Sequence, residues 1–253
     1  MLRDHSHLLK SFQETISKSE KECGSKLEEI RELCYSLNRC FGEFMVSDFS
    51  TGKLANSLTF WCYVESTEIS GFTLYLSYCG LYRNAFDNIR HILESMVQSV
   101  YIDINHPGSS LKTKLEILKE IEDKKEYHAS RLLQEKLDFK SLGCEGLDCK
   151  GLLNTAYKDL SKMVHPSHEK VIATFNDFMH SSENKSVILV NCAEVSKIFD
   201  SLKIVFDIFY VLIAANFPEF KKVMKKDQNF LDTVEKFNLT LLKKVLDNPN
   251  NCV

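Results

Sequence analysis

The stretch that decides the fold is residues 198–217, IFDSLKIVFDIFYVLIAANF. Its length and hydrophobicity would suit either a membrane span or a fully buried helix of a soluble bundle. Asp200, Lys203 and Asp207 interrupt the stretch, and charges placed in this way are costly inside a bilayer. We therefore predict a buried bundle helix over about 187–216 and no association with a membrane.

The composition predicts an all-α protein. The chain has 253 residues, of which 44% are hydrophobic and 26% charged, with a net charge of -3 and only nine glycines and four prolines. No segment shows the period-two alternation of a half-buried strand, whereas helical periodicities are long. We expect a mostly antiparallel helical bundle of about six to eight helices. Residues 1–253 are predicted to form a single unit, with a possible sub-boundary in a loop at 139–151.

Residues 12–44 predict a long N-terminal helix. The positions of its inner face recur in steps of four and three, as in a heptad repeat, and Glu22 and Lys26 are spaced to pair on the outer face. The seam could pack within its own chain or pair with a partner in a coiled coil; we favour the first and leave the second open. The seam consists of Phe12, Ile16, Ser19, Cys23, Leu27, Ile30, Cys34, Leu37, Phe41 and Phe44.

Apolar periodicity and punctuation residues place the other helices. Gly71 and Gly80 suggest a break, a kink or a close helix contact in a helical region that starts at Leu54. Ser110 is expected to cap a helix whose apolar stripe comprises Leu111, Leu115, Leu118 and Ile121. Three more helices are predicted, at 82–105, 152–164 and 227–246.

The nine cysteines are odd in number and lack the spacing of a secreted disulfide framework. The first twelve residues contain no apolar run of signal-peptide length. We therefore expect reduced cysteines and a cytoplasmic location. The cysteines are Cys23, Cys34, Cys40, Cys62, Cys79, Cys144, Cys149, Cys192 and Cys252.

A first stripe of charged residues lies beside the core face of the helix at 82–105. Arg83, Asp87, Arg90 and Glu94 follow steps of four, three and four, which predicts two ion pairs, Arg83 with Asp87 and Arg90 with Glu94. Such a ladder is most often a surface feature. A half-buried ladder would be a candidate binding site, because a charge near the core must find a partner.

A second polar stripe lies on the helix at 152–164. Tyr157, Ser161 and His165 are spaced four residues apart, so they share one helical face and can form a hydrogen-bond network. We predict a polar site that combines this stripe with Arg90 and Glu94. We assign no catalytic residue, because the Gly-x-Ser-x-Gly turn of a serine hydrolase is missing around Ser161.

These motifs resemble the HEPN superfamily, the higher-eukaryote and prokaryote nucleotide-binding domain, and its uncharacterised prokaryotic all-helical members. The resemblance rests on the Arg-x-x-x-Glu helix and on the later Tyr-x-x-Leu-Ser-x-x-x-His-Pro-Ser run, and it covers about residues 54–216. It implies a helical bundle, often dimeric, and in many members an RNA-cleaving role in toxin or antiviral systems. The residues that carry it are Arg90, Glu94, Tyr157, Leu160, Ser161, His165, Pro166 and Ser167.

Active members of that superfamily have an Arg, then four to six residues, and then a His. Here seven residues separate Arg83 from His91, and Arg90 adjoins His91. We therefore predict a non-catalytic or weakly catalytic binding or interaction protein that forms a homodimer and has RNA or a nucleotide as a possible partner. The alternatives are a ribonuclease toxin or antiviral effector that uses His165, and a structural coiled-coil protein. No cofactor is predicted.

Two further patterns are weaker. Cys144, Cys149, His165 and His168 are residue types that bind zinc, but their spacing fits no standard zinc motif, and we predict no metal. A basic run with interleaved aromatic residues would be the best nucleic-acid candidate, although a solvated helix face is the favoured interpretation. This run contains Lys221, Lys222, Lys225 and Lys226, with Phe220 and Phe230.

Overall fold

The computed structural model describes residues 6–48, 54–123, 137, 147–165 and 190–247. Within these ranges the chain forms nine α-helices and one short 3-10 helix, Leu54–Asn56, and no β-strand. The prediction of an all-α bundle with a long N-terminal helix is confirmed. The helices are α1 Ser6–Asp48, α2 Leu58–Tyr78, α3 Tyr82–Asn105, α4 Leu111–Asp123, α5 Cys149–Val164, α6 Cys192–Asn216, α7 Pro218–Met224, α8 Gln228–Lys236 and α9 Thr240–Asp247.

Helix α6 is the centre of the bundle, as its composition predicted. It packs against α1, α2, α3, α5, α7 and α9, and every residue from 205 to 214 is buried. The Asp207 carboxylate within this stretch accepts hydrogen bonds from the backbone N–H groups of Leu241 (3.0 Å) and Leu242 (2.7 Å), so it caps the start of α9. No helix among the described residues is long and apolar enough to span a bilayer.

The heptad seam of α1 packs within its own chain. From Cys23 to Phe44 its apolar members are buried against α2, α6, α7 and α8, and Phe41 meets Phe220 edge-on with ring centroids 5.1 Å apart. Phe12 and Ile16 are only partly buried. The interpretation in which the seam packs within its own chain therefore describes this structure from Cys23 to Phe44.

Local surface pairing on α1 differs from the prediction. Glu22 pairs with Lys18 at 3.9 Å, one turn before it, whereas Lys26 pairs with Glu29. Lys26 also lies over the Phe199 ring of α6, 4.5 Å from its centroid. The predicted Glu22–Lys26 pair is wrong because each of these residues has another partner of opposite charge within one helical turn.

The two glycines of the α2 region behave differently. Helix α2 continues through Gly71 without a break, and a Cβ added there would meet no atom within 4 Å, so neither a kink nor a close contact exists at Gly71. Gly80 has a φ of 71° and ends the helix, and the Leu81 N–H donates to the Leu76 carbonyl at 2.9 Å. This is the C-terminal motif for which glycine is favoured.

Three predicted helix boundaries are corrected. Helix α5 begins at Cys149, because the Asp148 side chain accepts the Gly151 N–H at 3.0 Å. The predicted loop at 139–151 therefore ends at Asp148. Its residues 139–146 lie outside the described residues. The predicted helix at 227–246 is two helices, α8 and α9, separated at Asn238, whose φ is 51°. The predicted helix at 187–216 begins at Cys192, after its cap residue Asn191, and residues 187–189 lie outside the described residues.

Helix α4 buries a different face from the predicted one. Ser110 caps it as expected, since its hydroxyl accepts the Thr113 N–H at 3.2 Å. The predicted apolar stripe stays partly exposed, and Leu115 is an exposed side chain. Among the residues of α4 whose burial is described, Lys114 is the buried one, and it pairs with Asp103 of α3 at 2.8 Å.

A disulfide bond corrects the prediction of nine reduced cysteines. Cys23 of α1 and Cys192, the first residue of α6, are bonded with their Cα atoms 5.4 Å apart. They are 169 residues apart in sequence, so local spacing gave no sign of the pair. The five other cysteines within the described residues are free thiols, and all are buried: Cys34, Cys40, Cys62, Cys79 and Cys149.

Reduction of this disulfide is expected to lower the free energy of unfolding by about 4–5 kcal/mol, because the bond closes a long loop in the unfolded chain. Urea unfolding of the oxidised protein with and without dithiothreitol measures the difference. A Cys192→Ser variant is the control, since its stability should not respond to dithiothreitol. An equal midpoint for the wild type in both conditions would contradict the prediction.

Candidate functional site

Helices α3 and α5 bring together three of the five predicted site residues. Arg90 and Glu94 lie one turn apart on α3, and Tyr157 lies on α5. The two helices pack through apolar side chains on their facing sides, so their polar neighbours are held at the edge of the core. The buried residues of α5 are Cys149, Leu153, Ala156 and Leu160.

The Arg90 guanidinium is the centre of this group. Its Nε–H donates to Glu94 Oε1 at 2.8 Å, and its Nη2 donates to the Tyr157 hydroxyl at 2.9 Å. The guanidinium carbon also lies 5.1 Å from the centroid of the Tyr157 ring. A guanidinium has five N–H donors, so three remain without an acceptor among the described residues. The Arg90 and Glu94 side chains are 19% and 27% exposed, so both are in partial contact with solvent.

Electrostatics fix the charge of this group. Burial is the largest single influence on Arg90 and lowers its pKa, but the hydrogen bond and charge of Glu94, together with Tyr157, outweigh it. The pKa of Arg90 therefore lies above its ordinary value. Arg90 stays cationic at every physiological pH, with Glu94 as its counter-ion. We name Arg90, Glu94 and Tyr157 the α3–α5 polar site.

The other two predicted members do not join this site. His165 follows the last residue of α5 and is exposed, about 12 Å along the helix axis from Tyr157 at 1.5 Å per residue. Its backbone N–H bonds the Ser161 carbonyl at 3.0 Å. Within the described ranges, neither the Ser161 hydroxyl nor the His165 imidazole has a hydrogen-bond or ion-pair partner.

The remaining charged pair on α3 also fails to form. Arg83 and Asp87 are both exposed, and no ion pair joins them in the part of the chain that the structure describes. Exposed pairs gain little because water screens both charges, whereas the half-buried Arg90 must keep its partner. The predicted ladder is therefore one pair and not two.

The four zinc-type residues cannot surround one ion as a set. Cys149 begins α5 and His165 follows its end, so their backbones are about 24 Å apart along the axis. Zinc ligands bind within about 2.3 Å of the metal, which excludes a shared ion for these two side chains. Cys144 and His168 lie outside the described residues.

The basic run after α6 offers no stacking surface. Phe220 and Phe230 are fully buried, and Lys221 is buried as well. Lys222 pairs with Glu219 at 2.9 Å on the exposed side of α7. Single-stranded nucleic acid needs exposed aromatic rings beside free cations, and neither ring is accessible here. The solvated-face interpretation is therefore right for Lys222 and wrong for Lys221.

A buried ionic cluster that was not predicted from the sequence lies at the C-terminal end of α3. The Asp103 carboxylate accepts hydrogen bonds from Lys114 Nζ (2.8 Å), the Ser57 hydroxyl (2.7 Å) and the N–H groups of Leu58 (3.0 Å) and Thr59 (2.8 Å). Lys114 Nζ also donates to the Asn56 carbonyl at 2.9 Å. The carboxylate thus caps α2 and ties it to α3 and α4.

The sequence carried one sign of this cluster. Asp103 follows Met96 by seven residues and Val100 by three, which places it on the buried face of α3. Asp103 and Lys114 are only 7% and 3% exposed. All polar atoms named here find partners, so the cluster is a structural device and not an open site.

A cleft of about 350 Å³ lies between α5 and α6, with Leu152, Leu160 and Ile204 among its apolar lining residues. Its size suits a small molecule. Tyr157 does not line it, so it is separate from the α3–α5 polar site. The cleft is lined by two acidic and two basic side chains, so its net charge is zero and gives no preference for the charge of a ligand. These side chains are Asp159, Lys162, Lys197 and Asp200.

Comparison with other proteins adds no relative. The chain matches no protein-family model, no curated protein and no solved structure.

Proposed function

We propose that this chain is a non-catalytic binding protein whose α3–α5 polar site takes a nucleotide-type ligand. One observation carries the proposal. Arg90 is held by Glu94 and Tyr157 together, in a half-buried position, with three of its N–H donors still open among the described residues. A fixed guanidinium binds an anion at a smaller entropic cost than a mobile one.

The chemistry of the site favours a ligand with both an anionic group and a hydroxyl group. Planar N–H donors of a guanidinium match the oxygens of a phosphate. Glu94 Oε2 makes no hydrogen bond to a described residue and can accept one from a ligand hydroxyl. Glu94 also balances the charge of Arg90, so phosphate alone should bind more weakly than a nucleotide, whose ribose offers hydroxyl donors. This ligand class agrees with the HEPN resemblance, which remains a proposal.

Substitution of Arg90 by Gln is expected to weaken binding of adenosine monophosphate at least about tenfold, because it removes a charge-assisted hydrogen bond worth about 1.5–3 kcal/mol. Tyr157→Phe should weaken it less, since Arg90 keeps its bond to Glu94. Arg83→Gln is the matched control on the same helix and should bind as the wild type does. Isothermal titration calorimetry measures all four proteins.

The same titrations separate binding from a structural role. If the three residues only tie α3 to α5, Arg90→Gln lowers the melting temperature while no ligand gives a saturable heat. Absence of heat with adenosine monophosphate, ATP and a short RNA for the wild type would overturn the proposal. Equal affinities of wild type and Arg90→Gln would overturn it too.

A ribonuclease role has no supporting contact, because His165 meets neither Arg90 nor Tyr157. Incubation of RNA with the wild type and a His165→Ala variant tests it. Cleavage by the wild type that is lost in the variant would replace the binding proposal with the enzymatic one.

Homodimerisation and a cytoplasmic location are proposals of the same kind. The seam of α1 is buried from Cys23 to Phe44, so this part of α1 is not available as a dimer interface in this fold. A dimer would have to use another face of the bundle, and native mass spectrometry counts the subunits.

A cytoplasmic location places a demand on the disulfide. The Cys23–Cys192 bond would have to persist against cellular thiols if the protein is cytoplasmic.

A further inference from the structure

The solvent side of α2 carries a row of large apolar side chains. Trp61, Val64, Phe72 and Tyr75 are 42%, 38%, 55% and 58% exposed, and they make up half of the exposed large hydrophobic side chains among the described residues. Their spacing places them along one side of the helix over about 21 Å, or four turns. We name these residues, with Gly71, Glu65 and Glu68, the α2 outer face.

The apolar area of this face is large for a monomer. An aromatic side chain has about 150–250 Å² of surface, so the three half-exposed rings contribute roughly 300 Å² together. The largest apolar patch on a typical monomer is of this size and is often functional. A scattered exposed leucine needs no explanation, but aligned aromatic residues on one helix do.

The Trp61 side chain on this face is held in place by two contacts. The Trp61 Nε1–H donates to the Ala55 carbonyl at 3.1 Å, and its ring meets Phe60 nearly at right angles with centroids 5.2 Å apart. A ring that is already fixed loses little entropy when a partner covers it, as in the aromatic anchors of protein interfaces. At Gly71 the helix surface is open, with no atom within 4 Å of an added Cβ, so a partner can approach the backbone.

The charges of α2 indicate that a partner of this face is basic. The 21 residues of α2 contain no Lys or Arg, and their two charged side chains, Glu65 and Glu68, are both exposed on this face. His91 of α3 lies 3.7 Å from Glu65, and Glu68 has no ion-pair partner among the described residues. A second copy of the same face would bring carboxylates together, which is unfavourable.

We propose that the α2 outer face docks an amphipathic helix of a partner protein, about four turns long, whose apolar side is flanked by Lys or Arg. The apolar side covers Trp61, Phe72 and Tyr75, and the basic side chains pair with Glu65 and Glu68. Helices recognised in this way present apolar anchors spaced by three and four residues. The surface is independent of the nucleotide proposal, since Arg90 and Tyr157 take no part in it.

Fluorescence tests this surface directly, because Trp61 is the only tryptophan of the chain. The full chain is titrated with a designed helical peptide of eighteen residues that carries leucines on one face and lysines on the other. We expect a saturable blue shift of the emission as the ring leaves water. A matched peptide with glutamates in place of the lysines should bind at least about tenfold more weakly.

Substitutions then assign the binding to this face. Glu65→Lys with Glu68→Lys should weaken the basic peptide at least about tenfold, and Phe72→Ser with Tyr75→Ser should abolish the shift. Glu116→Lys with Asp123→Lys makes the same charge change on α4 and should leave the affinity unchanged. Circular dichroism of each variant confirms that the bundle remains folded.

The opposite outcomes overturn the proposal. They are equal binding of the acidic and basic peptides, no change in the Trp61 emission, or equal losses in the α2 and α4 charge variants. Phosphatidylcholine or phosphatidylserine vesicles that shift the Trp61 emission more than the peptide does would indicate a lipid surface instead of a helix.

Discussion

Replacing Asp103 with Asn is expected to lower the free energy of unfolding by about 3–5 kcal/mol, the usual cost of removing one partner of a buried ion pair. The substitution keeps the shape of the side chain but leaves the Lys114 ammonium buried without its counter-ion. It also weakens the N-terminal cap of α2, where the carboxylate accepts two backbone N–H groups. Urea unfolding followed by circular dichroism measures the loss.

Two further variants separate charge from packing. Asp87→Asn, on the exposed side of the same helix, should change stability by less than about 0.5 kcal/mol. Asp103→Asn combined with Lys114→Met should recover part of the loss, because the second substitution removes the unpaired buried charge. A single Asp103→Asn variant as stable as the wild type would show that the cluster is not formed.

The same carboxylate makes stability depend on acid. Burial is the strongest influence on Asp103 and opposes ionisation, yet the hydrogen bonds from Lys114, Ser57 and Thr59 together outweigh it and lower the pKa of Asp103. The folded state therefore binds this proton less readily than the unfolded state, whose Asp has a pKa of about 3.9. Its contribution is complete above that pH and is lost as the pH falls through the lower folded pKa. Asp103→Asn should remove this part of the acid sensitivity.

Substitution of Leu27 and Leu37 by Asp in one chain is expected to unfold the protein. Both side chains are fully buried on the inner face of α1. Each substitution deletes the packing of a core leucine, about 2–5 kcal/mol, and also buries a carboxylate without a partner. Together they exceed the 5–15 kcal/mol that stabilises a typical domain. Circular dichroism should show loss of helix at 25 °C.

Leu9 provides the matched control. It lies on the same helix with its side chain exposed, so Leu9→Asp should leave stability nearly unchanged. If the seam served a second chain instead, the double variant would give folded monomers in place of dimers. Sedimentation of the variant distinguishes the two results.

Periodicity allowed the largest elements to be predicted. The heptad spacing of α1 and the continuous apolar stretch of α6 each indicate how many sides of the helix are buried, and each pattern can be seen within a single segment. Interactions between distant segments produce no such pattern in the sequence. Cys23 and Cys192 are far apart in sequence, and the carboxylate that pairs with the buried Lys114 is Asp103 of another helix.

The candidate site shows the same limit on a smaller scale. Arg90 and Glu94 were predictable as a pair because four residues make one helical turn, and Tyr157 was predicted to share their site. Ser161 and His165 follow Tyr157 on one face, but each step of four also advances about 6 Å along the axis. Ser161 and His165 therefore lie on the same helical face as Tyr157 but too far along the helix axis to contact Arg90. The break at Asn238 escaped prediction because its left-handed backbone is unusual for a residue other than glycine.

Binding of a nucleotide through Arg90 can be observed at the arginine side chain itself. In nuclear magnetic resonance spectra of the arginine side chains, the Arg90 Nε–H signal is assigned from its absence in the Arg90→Gln variant. As adenosine monophosphate is added, we expect this signal to shift and saturate while the Arg83 signal stays in place. An Arg90 signal that does not move at millimolar nucleotide would show that the α3–α5 polar site does not bind the nucleotide through Arg90.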